Sequence, residues 1–228
     1  MKNYIVISGD FISYTSLSTA EKQELEQSIQ SLFKDMEKRY NTFSRLVKGD
    51  YLETVVPDPE NGLVVALIIK TFIKSLEIEE KATNTRSKVF QTYSIRLAMG
   101  LGTLDRFDRE SNVIDGDAIY RSGRAISDES THNKERIVIK NTLFFSSKEE
   151  VLNEAMETIL GLLDHILARA TSKQSEVIFL KLMGNSEKEI AKQLEISQSS
   201  VNQHSTASGW NAIEKSVSYF YNTLSAYK

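Results

Sequence analysis

Three charged residues, far apart along this sequence, could together bind a phosphorylated substrate. Asp10 ends the apolar run of residues 4–9, and Asp50 follows Gly49 where a second extended stretch turns. Carboxylates at the ends of neighbouring strands can hold hard divalent cations, and those cations can hold a triphosphate. Arg124, in a third segment, could neutralise charge that develops on phosphorus. The three residues therefore predict nucleotide chemistry or nucleotide sensing.

Each of these residues also has a simpler structural explanation. An aspartate after a glycine is common in turns, so Asp50 could serve the turn alone, and Asp10 could cap a loop. Arg124 could pair with Asp117 or Asp128 on a helix surface. The nucleotide interpretation therefore depends on the elements that would bring the three residues together.

The residue pattern of the first 140 positions predicts alternating strands and helices. The predicted elements are a strand at 3–9, a helix at 19–40, a β-hairpin at 42–57, a helix at about 62–78, a strand at 92–102, a polar loop at 103–114, a helix at 117–128 and a strand at 136–140. The order is β-α-β-β-α-β followed by a helix and a strand. This order predicts an α+β fold with a ferredoxin-like core.

The rest of the chain is helical in pattern. Residues 147–169 form one predicted helix with an apolar stripe, which could pack in the core or pair with the same helix of another subunit. We therefore predict an α+β domain at 1–145, a connecting helix at 146–170 and an all-helical domain at 171–228.

The segment 186–214 carries the pattern of a DNA-binding helix pair. Ser186 and Glu189 predict a capping box at the start of a helix over 187–194, and a second helix is predicted from Ser199 to about Glu214. The residues expected to pack the two helices together are small or apolar: Ala191, Leu194, Ile196 and Val201. Residues 189–201 resemble the helix-turn-helix of LuxR-type regulators and of the promoter-reading region of sigma factors. This resemblance implies DNA as a partner.

Five polar residues of the second helix would face the major groove: Gln198, Ser199, Asn202, Gln203 and Thr206. Glutamine and asparagine can bind adenine edges. Residues 171–228 contain six Lys, no Arg and five Glu, a net charge of six minus five, or +1. Binding by a monomer would therefore be weak and salt-sensitive, and a dimer would bind better. The alternative is a helix pair that serves packing or protein binding.

Residues 3–140 resemble the catalytic domain of class III nucleotidyl cyclases. The matching segments are Asp10 to Thr15, Gly49-Asp50 in a hairpin, the strand from Ile95 to Gly100, and the stretch from Gly116 to Arg124. A narrower resemblance, carried by Ser8-Gly9-Asp10, is to the SatD-like bacterial proteins. The family resemblance implies a homodimer with sites at the subunit interface.

The resemblance also implies roles for individual residues. Asp10 and Asp50 would bind Mg²⁺ or Mn²⁺, the backbone carbonyl of Phe11 would be an extra ligand, and Arg124 would stabilise the five-coordinate phosphorus. Tyr120 stands where the family has a ribose-positioning asparagine. The family's two purine-reading positions hold Leu46 and Val113 here, so the resemblance does not imply a particular base.

Composition limits the class of protein. The 228 residues include no cysteine and carry a formal net charge of −3, so no disulfide is possible and any DNA contact must come from a local patch. The longest apolar run, residues 63–69, is far too short to span a bilayer. We expect a cytoplasmic protein that does not bind membranes.

These patterns together predict a DNA-binding transcriptional regulator whose cyclase-like domain senses a nucleoside triphosphate. The first alternative is an active metal-dependent nucleotidyl cyclase that uses an atypical base. The second is a catalytically inactive interaction module.

Overall fold

The computed structural model describes residues 2–47, 49–76, 91–131 and 141–227. A five-stranded sheet is formed by β1 (Asn3–Phe11), β2 (Phe43–Val47), β3 (Tyr51–Val56), β4 (Ile95–Thr103) and β7 (Leu143–Ser146). The strand order is β2-β3-β1-β4-β7. The first four strands pair antiparallel, and β7 pairs parallel with β4.

Three helices accompany these strands: α1 (Thr19–Tyr40), α2 (Gly62–Ser75) and α3 (Asp117–Thr131). The predicted β-α-β-β-α-β order is confirmed. Ser18 starts α1 with a capping box completed by Glu21, and Asn41 ends it in the left-handed conformation at φ 52°. Between them, apolar side chains recur at helical spacing and are buried: Leu25, Ile29, Leu32, Phe33 and Met36.

The alternation of side chains along β1 builds a core on each face of the sheet. Ile5 and Ile7 belong to the large cluster that contains the buried residues of α1 and α2. Val6 points the other way and packs with Ala118 of α3. The backbone of α3 comes very close to β4, because a Cβ added to Gly100 would lie 2.1 Å from the Ala118 carbonyl oxygen.

Several predicted boundaries were wrong. Residues 103–114 are not a simple loop, because β5 (Arg106–Asp108) pairs antiparallel with β6 (Val113–Asp115). The helix predicted to reach residue 78 ends at Ser75, since Leu76 is extended. The strand predicted at 136–140 lies outside the described residues, and the strand after α3 that the structure does describe is β7.

The C-terminal part consists of α4 (Glu150–Arg169), α5 (Ser172–Leu182), α6 (Glu187–Gln193), α7 (Gln198–Ala207) and α8 (Trp210–Leu224). The predicted helix from Ser199 to about Glu214 was wrong in its length, because Gly209 adopts φ 74° and separates α7 from α8. The large core cluster also includes Met156, Ile178 and Phe220 from these helices. None of the helices in the described ranges combines the length and apolarity needed to cross a bilayer.

A buried ionic network joins α2 to α4. The Lys70 ammonium lies 3.6 Å from an Asp164 carboxylate oxygen, and both side chains are almost fully buried. Lys70 also donates to the Thr142 hydroxyl, and Asp164 accepts hydrogen bonds from both the backbone N–H and the hydroxyl of Thr142. Every polar group in this network therefore has a partner, which is the condition for burying an ion pair without a large cost.

Lys74, one turn further along α2, is buried beside the end of α4. Its ammonium donates to the carbonyl oxygens of Thr92 at 2.7 Å, Leu167 at 2.7 Å and Ala168 at 2.9 Å. Burial, and then the nearby Lys70 charge, lower the pKa of Lys74 to about 8. The C-terminal carbonyls of α4 are thus capped by a lysine side chain of α2.

Candidate functional site

The sheet register brings Asp10 and Asp50 to one end of the sheet. Asp10 is the penultimate residue of β1 and pairs with Tyr51, the first residue of β3. Asp50 precedes Tyr51 in the turn from β2, and its carbonyl oxygen accepts a hydrogen bond from the Phe11 N–H at 3.1 Å. Two aspartates that are 40 positions apart in the sequence are therefore neighbours at adjacent strand ends.

The electrostatic state of Asp10 reflects this placement. Burial is the largest influence and raises its pKa, the Arg96 guanidinium lowers it, and the negative charge of Asp50 raises it again. A cation bound near Asp10 would favour the charged form of its carboxylate.

Arg96 is a residue of this site that the sequence alone did not assign. It pairs with Asp10 across the β1–β4 register, and its Nη1 lies 3.1 Å from the Asp10 carboxylate. Its Nε is buried and has no hydrogen-bond partner among the described residues. Only the pairing of β1 with β4 shows that Arg96 belongs to this site, and no local sequence pattern specifies that pairing, because Asp10 and Arg96 are 86 positions apart.

Buried hydroxyl groups hold α3 against this end of the sheet. The Ser8 and Ser122 hydroxyls are 2.8 Å apart, and both side chains are fully buried. Tyr51 shares a hydrogen bond with Ser8, and burial raises the pKa of Tyr51. Ser8 and Asp10 point to the same face of β1 because side chains alternate along a strand.

The loop after β1 packs against the turn that carries Asp50. The Tyr14 hydroxyl donates to Glu26 of α1 at 2.9 Å, and burial with this bond raises the pKa of Tyr14 to about 12. Gly49 adopts φ +80°, and a Cβ at this position would lie 3.4 Å from the Tyr14 hydroxyl oxygen. A glycine therefore suits the close approach of turn and loop.

The remaining predicted nucleotide residues are more dispersed. The Phe11 side chain is buried in the large core cluster, which leaves its backbone at the strand end. Tyr120 is 54% exposed and donates a hydrogen bond to Asp115. Arg124 is exposed on α3. Among the described residues, no hydrogen bond or ion pair joins Arg124 to Asp10 or Asp50, and the ion pair of Asp10 is with Arg96.

The donor set at Asp10 and Asp50 fits a hard cation. It consists of the two carboxylates, and Mg²⁺ is commonly held by one or two carboxylates plus substrate phosphates. The described residues contain no cluster of three or more acidic, histidine or cysteine side chains that could enclose a metal by themselves. The site therefore suits a cation that arrives with an anionic ligand.

The second candidate site is the pair α6 and α7. Ser186 starts α6 with a capping box completed by Glu189. The turn between the helices contains Glu195 at φ 53°, and Ser197 caps α7. A separate small core joins α5, α6 and α7, and it consists of Val177, Leu180, Ile190 and Val201 with Ala191, Leu194 and Ile196 packed against it.

The outer side of α7 is polar. The five residues predicted to contact DNA are all exposed: Gln198, Ser199, Asn202, Gln203 and Thr206. Val201 and Ser205 of the same helix are buried against its neighbours. Lys188 and Lys192 of α6 are also exposed.

Comparisons with known proteins give little further information. No protein-family model matches this chain, and no curated protein matches it. Two similar solved structures are each of a bacterial light-regulated adenylyl cyclase, and both are 17% identical to this chain. The first match has a TM-score of 0.42 and covers 64% of this chain and 43% of that chain. The second has a TM-score of 0.43 and covers 64% and 76%.

This chain thus spans less than half the length of the first cyclase chain. At this level of similarity the two cyclases assign neither an activity nor a site residue to the chain.

Proposed function

We propose that this protein is a regulator that binds a nucleoside triphosphate together with Mg²⁺ or Mn²⁺ at Asp10 and Asp50. The observation that carries the proposal is the meeting of these two aspartates at adjacent strand ends, tied by the hydrogen bond from the Phe11 N–H to the Asp50 carbonyl. Two carboxylates at one open edge are suited to a cation that also binds phosphate oxygens.

The surrounding residues have distinct roles in this proposal. When bound, the divalent cation supplies positive charge to the triphosphate. Asp10 and Asp50 hold the cation, with the Phe11 carbonyl as a further ligand, and Arg96 balances the charge of Asp10. Tyr120, half-exposed on α3, holds the sequence position of the family's ribose-positioning asparagine and is the proposed ribose contact. Arg124 would reach a nucleotide from the second subunit of a homodimer.

A thermal-shift screen of the common nucleoside triphosphates, with and without Mg²⁺ or Mn²⁺, tests this function. At a ligand concentration of about 100 times Kd, binding should stabilise the fold by about 2.7 kcal/mol. Asp10→Asn and Asp50→Asn should abolish the cation-dependent shift. Asp58→Asn is the matched control, because Asp58 is an exposed aspartate in the segment after β3. If no triphosphate stabilises the wild type in a cation-dependent manner, the proposal is wrong.

The enzymatic alternative is separated from sensing by a product assay. A nucleotidyl cyclase releases pyrophosphate from the nucleotide that binds, whereas a sensor binds the nucleotide and leaves it intact. If pyrophosphate is released, Arg124→Ala should slow the release strongly, because the arginine would stabilise charge on phosphorus.

The second proposed function is DNA binding through residues 186–214. The observation that favours it is the polar outer side of α7, which is exposed while Val201 faces the small core. Gln198 and Asn202 would contact base edges, and the exposed lysines of α6 would contact phosphate. The alternative use of the same helix pair is binding to another protein.

Selection from a random DNA pool, followed by fluorescence anisotropy, tests this second function. Asn202→Ala should weaken binding to the selected DNA about tenfold, which is the effect of losing one base contact. Asn222→Ala, an exposed amide on α8, is the control. A pool that shows no enrichment would contradict DNA binding, and the nucleotide result would stand independently. Adding nucleotide and Mg²⁺ to the same assay tests whether the two sites are coupled.

A further inference from the structure

A groove lies where α1, the start of β2 and the β5–β6 turn meet. It has a volume of about 340 Å³, within the range of about 300–1,000 Å³ that is typical of small-molecule sites. Its lining comes from three segments, 30–37, 42–44 and 109–110, so only the folded chain assembles it. A second groove of about 630 Å³ shares Gln30 and Lys34 with it. A small ligand would therefore have a defined site with further room beside it.

A buried hydroxyl at this groove has no partner. Thr42 lines the groove and is 0% exposed, and its hydroxyl has no hydrogen-bond partner among the described residues. The Ser44 hydroxyl, also in the lining, accepts a hydrogen bond from Thr54 at 2.9 Å, which leaves its own proton available. A buried hydroxyl that is left unsatisfied costs stability. A ligand with an acceptor oxygen would satisfy this part of the groove.

The charged side chains of the groove are not equally available to a ligand. Arg109 is already occupied, since its Nη1 lies 3.3 Å from the Glu37 carboxylate and its Nη2 donates to the Asn41 carbonyl at 2.7 Å. Lys34 and Glu110 also line the groove, and both are exposed. Within the part of the chain that the structure describes, neither of their side chains has an ion pair or a hydrogen bond. One positive and one negative charge are therefore left for a ligand.

The apolar part of the groove is aromatic. Phe33 of α1 is buried and Phe43 of β2 is half-buried, and both line the groove. The Phe43 ring is fixed by an edge-on contact with Phe107, at 5.7 Å between ring centroids. Aromatic rings of this kind provide apolar surface for the carbon atoms of a ligand. The groove thus combines a free cation, a free anion, an unpaired hydroxyl and an apolar wall.

We propose that this groove binds a free amino acid. The carboxylate of the ligand pairs with Lys34 and accepts a hydrogen bond from the Thr42 hydroxyl, and its ammonium pairs with Glu110. Its side chain packs against Phe33 and extends toward the adjoining groove. A simple carboxylate or a simple amine would satisfy only one of the two free charges and would bind more weakly. The proposal is independent of nucleotide and DNA binding.

Ligand-observed saturation-transfer NMR on the full chain, with each common amino acid at about 1 mM, identifies the ligand. Two derivatives of that amino acid then test the charges. Its amide lacks the carboxylate, and its N-acetyl form lacks the ammonium. Each derivative should bind at least about tenfold more weakly than the amino acid, because each loses one charge pair. Isothermal titration calorimetry measures the three Kd values.

Two charge-neutral variants match these losses to residues. Lys34→Gln should weaken binding of the amino acid about tenfold but leave binding of the amide unchanged. Glu110→Gln should likewise weaken the amino acid but leave the N-acetyl form unchanged. Lys38→Gln is the matched control, because Lys38 is an exposed cation of α1 that does not line the groove.

Thr42→Val provides a further variant if either charge change impairs folding. It removes the unpaired hydroxyl and should weaken binding several-fold, while the free energy of unfolding stays the same or rises. The proposal would be overturned if none of the common amino acids shows saturation transfer. It would equally be overturned if the bound amino acid has the same Kd in K34Q and E110Q as in the wild type, or if its amide and N-acetyl form bind as tightly as it does.

Discussion

The site at Asp10 and Asp50 and the helix pair α6–α7 are built from contacts of very different range. Asp10 meets Asp50 and Arg96 through strand pairing between segments 40 and 86 positions apart. The helix pair is organised by caps three residues long and by a core whose members lie within 25 positions, from Val177 to Val201. The first site therefore depends on the whole sheet, whereas the second depends mainly on its own segment.

The large core cluster and the Lys70–Asp164 ion pair join the sheet region to α4, α5 and α8, whereas α6 and α7 pack on the separate small core. The predicted division into domains at residues 145 and 170 stays a prediction. The large core cluster includes residues from both sides of these positions. Unfolding experiments can test whether the two regions unfold together and which region each contact stabilises.

The largest effect is expected at Asp164. Asp164→Ala leaves the buried Lys70 ammonium without its counter-charge and should lower the free energy of unfolding by about 4 kcal/mol. Urea unfolding followed by the fluorescence of Trp210, the single tryptophan, and by circular dichroism measures this change. Coincident transitions would mean that the two regions unfold as one unit. Glu157→Ala, at an exposed position on α4, is the control.

A Trp210 transition that is unaffected by Asp164→Ala would show that α8 unfolds independently of the network. In that case the comparison between the regions would become a comparison between two folding units.

The next largest effect is on pH dependence and comes from Lys74. Its pKa is about 8 in the fold and 10.5 as its ordinary value, so the unfolded chain binds more protons between these limits. Stability should therefore rise with pH across this interval, by up to about 3 kcal/mol. Lys74→Met should flatten this slope in urea titrations from pH 7.5 to about 10.5. An unchanged slope in the variant would assign the pH dependence to other groups.

A smaller effect is confined to the sheet side. Gly100→Ala places a methyl group 2.1 Å from the Ala118 carbonyl and 2.7 Å from the Ser122 nitrogen. The strain should cost about 2 kcal/mol and should displace α3 from Ser8. Gly123→Ala on α3 is a matched control that should be neutral or stabilising, because nothing lies within 4 Å of the added carbon. Thermal unfolding measures both variants.

The smallest effect is confined to the helix pair. Ser186→Ala removes the capping hydroxyl of α6 and should cost about 1 kcal/mol. Amide hydrogen exchange should speed up in α6 and α7 while the amides of β1 and β3 keep their protection. Ser218→Ala, whose hydroxyl bonds within α8 at the surface, is the control. Faster exchange in the sheet strands would contradict the local character of the helix pair.

Much of the fold could be predicted because its signals are local. Capping boxes start α1 at Ser18 and Glu21 and α6 at Ser186 and Glu189. In β1, successive side chains point alternately to the two faces of the sheet. The errors fell where local signals were weak or were overridden. The β5–β6 hairpin lies in a polar stretch, and Gly209 ends α7 although the apolar pattern continues beyond it.

The sequence by itself determined which residue types are available: two aspartates at strand ends, an arginine on a later helix, and a capped helix pair with a polar outer side. Only the tertiary structure determined which residues each of them contacts. It placed Arg96 against Asp10, left Arg124 exposed on α3, and buried Lys70 with Asp164. The physical reason is that caps and helical periodicity act within a few residues, whereas strand register and buried ion pairs join distant segments whose alignment no local pattern specifies.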